Sequence, residues 1–205
     1  MNDKFYQLKI TLRDVQPAVW RQFVVPAVIT LDRLHDVIQI VMGWQDSHLH
    51  EFNLGKQRFT ELPEQEAHGE EEADFRLGSL VTRKGQRFSY LYDFGDSWLH
   101  ELTLENSRYD PEDLPLPVLC FDGAGACPPE DCGGAPGYQN LRAILNDPAH
   151  EEYQDSVTWV NELFGDEGLE VMMADRFSVE EVNELLMLYW RWARDRPQPW
   201  FADPG

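Results

Sequence analysis

Two nine-residue stretches, fifty positions apart, carry three of the six histidines and agree at six of nine positions. They are Asp46-Ser47-His48-Leu49-His50-Glu51-Phe52-Asn53-Leu54 and Asp96-Ser97-Trp98-Leu99-His100-Glu101-Leu102-Thr103-Leu104. In a strand, alternate residues share a face. His50 then lies with Phe52 and Leu54, and His100 with Trp98, Leu102 and Leu104, while Glu51 and Glu101 point the other way. An imidazole on an apolar face needs a hydrogen-bond partner or a metal ion. Two readings stay open: core histidines satisfied by carboxylates or backbone, or a site built from both strands. The likeness of the two stretches is either that of equivalent strands in one sheet or a coincidence of strand chemistry.

The three cysteines, Cys120, Cys127 and Cys132, fall in one Gly/Pro-rich segment, residues 120–137. Their x6 and x4 spacings suit thiolate ligation of zinc but lack the stronger C-x2-C form. One or two of His48, His50 and His100 would complete a tetrahedral set; otherwise the thiols simply pack. Zinc is the one cofactor these residues suggest. Asp93 and Asp96 flank Phe94-Gly95, where aspartates serve either a turn or a carboxylate pair for acid–base or metal work. The catalytic candidates are thus His50, His100, Asp93 and Asp96. A kinase reading of Asp93-Phe94-Gly95 fails for want of the other kinase segments, and no nucleophile elbow, P-loop or dinucleotide fingerprint is present.

These residues must be held by an α+β fold. Residues 5–13 alternate as a half-buried strand, a second strand spans Val19–Val25, and Thr30 caps a helix with the apolar stripe Leu34, Val37, Ile38 and Val41. A third strand runs from about His48 to Leu54, giving β-β-α-β, a β-grasp-like order for a mixed sheet. Phe75–Val81 reads as a short strand. Phe88–Tyr92 and Trp98–Leu104 form a hairpin, with Gly95 supplying positive φ. Residues 120–137 read as neither helix nor strand interior. A mainly helical half follows, residues 138–195 packing on the sheet, its last helix opened by the capping box of Ser178 and Glu181. The chain reads as a single domain, residues 1–205, with a tail at 196–205.

The 205 residues carry a net charge of -20, unevenly spread. Residues 1–60 are net +1, 61–74 net -7, 75–109 net +1, and 110–205 net -15. The 61–74 stretch reads as a solvated acidic loop insert, or as a lure for a basic partner. The overall sign argues against general nucleic-acid binding and against an anionic membrane surface. The N-terminus lacks a signal-peptide pattern, no run is long enough to cross a bilayer, and three cysteines in no disulfide pattern fit a cytoplasmic setting. A protein partner is expected, and Trp20, Arg21, Trp98 and Trp200 are the candidate contacts; the residues identify no small-molecule ligand.

Several ordered motifs resemble a known family. Gln16-Pro17-Ala18-Val19-Trp20-Arg21, Leu34-His35, Met42-Gly43-Trp44, His48-Leu49-His50-Glu51-Phe52, Tyr90-x-Tyr92-Asp93-Phe94-Gly95-Asp96-Ser97-Trp98-x-His100 and Cys127-Pro128-Pro129-Glu130-Asp131-Cys132-Gly133-Gly134 look like the plasmid pRi open-reading-frame-3-like family, over about residues 4–165. The resemblance implies an α+β fold and a prokaryotic cytosolic setting. Members also carry a label as resolvase-like passengers of insertion elements. That label lacks residue support here, since a resolvase needs an activated Ser, clustered Arg residues and a basic DNA-binding helix. The leading expectation is a binding or accessory protein whose surface includes the hairpin, the cysteine loop and the tail. A metal-dependent, hydrolase-like enzyme and a DNA-transaction factor are the alternatives.

Overall fold

The structure is a computed structural model that describes residues 4–63, 69–110 and 116–194, with side chains through Arg191. Strands β1 (Phe5–Leu12) and β2 (Trp20–Pro26) pair antiparallel, and helix α1 (Leu31–Met42) follows. Then come β3 (His50–Leu54), β4 (Gln57–Thr60), the two-residue β5 (Glu70–Glu71), a 3-10 turn at Glu72–Asp74 and the short helix α2 (Leu77–Leu80). The hairpin β6 (Arg87–Tyr92) and β7 (Trp98–Tyr109) and the strand β8 (Leu119–Ala124) complete the sheet. Helices α3 (Gly134–Leu145), α4 (Tyr153–Phe164), α5 (Gly168–Met173) and α6 (Val179–Arg194) end the described chain. The expected α+β class and the opening β-β-α-β order are what the chain adopts. The eight strands run β5-β4-β3-β6-β7-β1-β2-β8, with only β4 and β5 parallel.

The sheet is one-sided in its chemistry. Tyr6, Leu8, Ile10 and Leu12 of β1, Phe88, Tyr90 and Tyr92 of β6, and Trp98, Leu102 and Leu104 of β7 are buried on one face. The stripe of α1 (Leu34, Val37, Ile38, Val41) is fully buried with them. At about 2 kcal/mol per large buried side chain, this shared core is the main source of stability. The two similar nine-residue stretches do enter one sheet: their strands, β3 and β7, lie on either side of β6. The register is offset by one pleat, with His50 opposite Tyr92 and His100 opposite Tyr90.

Four local expectations are corrected. Residues 120–124 are strand, because β8 pairs along β2, and Asn183 of α6 covers the strand by bonding both the N–H and the C=O of Cys120. Residues 77–80 are helical rather than extended; Arg76 makes only an isolated bridge to Thr30. Residues 70–74 of the acidic insert are structured, and Glu72 is buried beneath α1. The positive φ of the hairpin turn falls on Asp93 and Ser97 instead of Gly95, because the Asp93 carboxylate accepts the Gly95 N–H in an Asx turn. The Ser178 cap is present, its Oγ accepting the Glu181 N–H. Among the described residues no helix is long and apolar enough to cross a membrane.

Candidate functional site

The histidines fall into three environments. His100 is wholly buried. Its Nδ1–H donates to Tyr90 O at 3.3 Å, and its Nε2 accepts the Trp44 indole N–H at 3.4 Å. Both nitrogens are used by one neutral tautomer, and burial pushes the pKa down to about 4, backbone carbonyls opposing weakly. The unfolded chain, with an ordinary value of 6.5, binds the proton that the folded chain refuses. Stability from this group is therefore present above pH 6.5 and is lost as pH falls toward 4, by about 1.4 kcal/mol per pH unit. Urea melts at pH 7, 6 and 5 are expected to show a steeper acid loss in the native protein than in a His100→Gln variant.

His50 is also buried, but it faces a carboxylate. Its Nε2 lies 2.9 and 3.0 Å from the two oxygens of Glu72, and its Nδ1 has no hydrogen-bond partner. The ring stacks on His35 at 3.6 Å between centroids, 7° from parallel. His35 is bonded through Nδ1 to Tyr90 Oη (2.8 Å) and through Nε2 to Asp46 (2.9 Å). Gln39 steadies this pair, donating to Tyr90 Oη and accepting the Asp46 N–H. The His35 bond holds the Asp46 carboxyl below its ordinary range. The stacked pair forms one wall of a cleft of about 530 Å³ between α1, the start of β3 and the 3-10 turn. Asp32, Asp36, Asp46, Glu61, Glu71 and Glu72 line it, and no Lys or Arg does.

His48 sits at the rim of that cleft, on the edge of the Tyr92 ring. Its Nε2 is buried without a hydrogen-bond partner and is surrounded by acid. Asp131 Oδ1 stands at 3.4 Å, and Asp93 Oδ2 and Glu130 Oε2 each stand at 3.8 Å. Among the described residues, His48, Asp93 and Asp131 are the one group of three or more His, Cys or carboxylate side chains close enough to share an ion. Glu130 and Asp131 escape a reading of the sequence that looks to the flanking thiols. Their signal was the acidic pair inside Cys127-Pro128-Pro129-Glu130-Asp131-Cys132.

The remaining candidates are scattered. The thiols do not gather. Cys120 lies in β8 with its Sγ against Gln22 O, and burial pushes it up to about 11. Burial likewise raises Cys127, and it pushes Cys132 up to about 12. Asp96 leaves the His48 group and accepts the Gly133 N–H at the start of α3. Trp98 is core. Arg21, expected as a surface contact beside Trp20, is 2% exposed, because strand alternation turns it under α1 while Trp20 faces outward against Lys9. Trp200 lies outside the described residues.

The arrangement can be set beside known proteins. The chain is 42% identical over 157 residues to "Uncharacterized protein y4hQ" of Sinorhizobium fredii, covering 75% of this chain and 79% of that one. It is similar in structure to "Protein of Unknown Function MM3350" from Methanosarcina mazei Go1, with a TM-score of 0.73 and 31% identity, over 88% of this chain and 98% of that one. Residues 4–173 match the family described as "Plasmid pRiA4b ORF-3-like protein". That span holds both histidine stretches, the Asp93 turn and the Glu130-Asp131 loop, and the chain belongs to the plasmid pRiA4b ORF-3-like family.

Proposed function

We propose that the protein is a binding or accessory module that captures a positively charged segment of a protein partner in the acidic cleft. The observation that carries this reading is a concave, open site lined by six carboxylates and three imidazoles, with no Lys or Arg among the described lining residues. A second feature supports it: His50, 3% exposed with Nδ1 unpartnered, belongs to the wall of the same cleft. A buried polar atom left without a partner is costly unless something occupies the site beside it. Lysine and arginine side chains match the site in sign and hydrogen-bonding role, and the net charge of -20 would steer a basic partner toward it. A cytosolic setting, in keeping with the free thiols, belongs to the same proposal. The plasmid association comes from the family description alone.

The test is titration of the full chain, in EDTA, with a labelled Arg/Lys-rich peptide and with an acidic peptide of equal length. Saturable binding of the basic peptide alone is expected, weakening steeply between 50 and 300 mM salt. The double variant Asp32→Asn/Glu71→Gln is expected to bind it about tenfold more weakly. No saturable binding at low salt, or equal binding by the variant, would remove the proposal.

A further inference from the structure

We infer that His48, Asp93 and Asp131, with Glu130 at their edge, form a binding site for one divalent first-row transition-metal ion. The inference does not rest on the cation-capture reading: it uses different side chains except at the His48 rim. Four observations support it. The first is the orphan nitrogen. His48 Nε2 is shielded from solvent and lacks a hydrogen bond, yet three carboxylate oxygens surround it at 3.4–3.8 Å. None of these contacts is a hydrogen bond, and the spacing suits groups that share an ion. A tetrahedral ion with bonds of about 2.1 Å holds its ligand atoms ~3.4 Å apart.

The second is orientation from behind. Asp93 Oδ1 accepts the Gly95 N–H at 2.9 Å, which leaves Oδ2 turned to His48. Glu130 Oε1 accepts the Tyr92 hydroxyl at 2.9 Å and the Gln45 N–H at 2.7 Å, which leaves Oε2 turned the same way. Tyr92 Oη in turn accepts the Ser47 N–H, tying this support to the segment just before β3 that presents His48. Ligating carboxylates held in this manner are what metal sites require. The third is charge. Three carboxylates meet here, and every ion pair described for Asp93, Glu130 and Asp131 is to His48. A bound cation relieves that repulsion. The fourth is access, because the Asp131 side chain is 75% exposed while that of Asp93 is 10% exposed. An ion can enter over Asp131 and still meet a largely dehydrated ligand.

One imidazole with carboxylates and no thiolate selects Zn²⁺, Mn²⁺ or Fe²⁺ over Ca²⁺ or Mg²⁺, which prefer all-oxygen sites. With three or four protein ligands, a coordination position remains for water.

The experiment is calorimetric titration of the untagged, EDTA-treated full chain with Zn²⁺, and separately with Ca²⁺, with no peptide present. Histidine ¹⁵N resonances are followed in parallel. The expected result is one Zn²⁺ per chain, no competition from equimolar Ca²⁺, and a shift of the His48 Nε2 signal. Asp131→Asn and His48→Gln are each expected to weaken Zn²⁺ at least tenfold, and Tyr92→Phe, which removes the hydroxyl that holds Glu130 and the Ser47 N–H, by a smaller factor. Asp32→Asn, which acts on the peptide cleft, is expected to leave Zn²⁺ affinity unchanged. Asp131 is exposed and has a positive φ that Asn also tolerates, so this variant keeps the fold and decides the matter if His48→Gln does not. Zn²⁺ affinity unchanged in Asp131→Asn, or an unshifted His48 signal at saturation, would overturn the inference. Because the peptide titration is done in EDTA, either reading can fail while the other stands.

Discussion

Replacing Arg21 by Ala is expected to remove about 4 kcal/mol of stability, a loss of about 1.5–2 M in the urea midpoint of a chain this size. The guanidinium is buried and has no carboxylate partner among its hydrogen bonds. It donates instead to four backbone carbonyls: Val41 O at 2.8 Å, Trp20 O at 2.8 Å, Ala124 O at 2.7 Å and Gly125 O at 2.9 Å. Val41 lies in the last turn of α1, where the helix carries partial negative charge. One side chain thus ties the end of α1 to the edge strand β8 and to the loop after it. Burial lowers the Arg21 pKa to about 10, so the charge persists at neutral pH. The ring of Phe177 covers the guanidinium at 3.8 Å. Gly123, opposite Arg21 in the register, leaves the room: a Cβ there would collide with the Phe177 ring and meet Arg21 Cδ at 2.9 Å. Truncation leaves several buried carbonyls without donors, and removing the charge with an apolar isostere does not repair that. Arg21→Lys is expected to recover less than half of the loss, since an ammonium cannot reach carbonyls on opposite sides or stack on Phe177. Equal urea midpoints for the native and Ala forms would contradict this account.

Arg21 also shows where reading the chain ran short. Alternation and one cap were legible: the faces of β1, the β6–β7 hairpin, the stripe of α1 and the Ser178 cap all follow from local patterns, whereas Thr30 takes the N-cap position of α1 without a side-chain cap hydrogen bond. What local patterns do not carry is a polar side chain's distant partner. Arg21 beside Trp20 looks like surface until β8, about a hundred residues on, places its carbonyls over it. The Gly/Pro-rich stretch around Cys120 looks like loop, because composition does not reveal that an edge strand needs only one partner and a side-chain cover from Asn183. The candidate site divides the same way. His48 and Asp93 stand out by type. Glu130 and Asp131 become visible only when the Gln45 N–H and the Tyr92 hydroxyl hold Glu130, and with it their loop, against the segment that carries His48. A charge on a loop has no periodicity to announce it.

Glu72 is the other position where one side chain decides much. Glu72→Ala is expected to cost about 3 kcal/mol, from loss of a buried partner and from an unsatisfied imidazole left behind. In a run of seven acids between residues 61 and 74 it reads as one more solvated carboxylate. It is 2% exposed, with both oxygens on His50 Nε2. Without it, neither nitrogen of His50 has a partner, since Nδ1 already lacks one. The stack on His35 then holds an imidazole with nothing to bond. The Glu70–Asp74 segment also loses its polar anchor beneath α1, keeping the short parallel pairing of β5 with β4. Limited proteolysis is expected to cleave the variant faster in this segment, and native-state exchange is expected to accelerate more there than in β6 and β7. Glu72→Gln separates two causes. If the pair is ionic, Gln costs nearly as much as Ala, because a buried imidazolium is left uncompensated. If His50 is neutral and donates from Nε2, the Gln carbonyl accepts the same proton and the loss stays near 1 kcal/mol. The double variant His50→Phe/Glu72→Leu removes both polar groups together. It is expected to be more stable than Glu72→Ala, as buried pairs replaced whole by apolar side chains generally are. Urea denaturation of the four proteins at pH 7 checks the order, and a Glu72→Ala form as stable as the native protein would show that the pair does not anchor the segment.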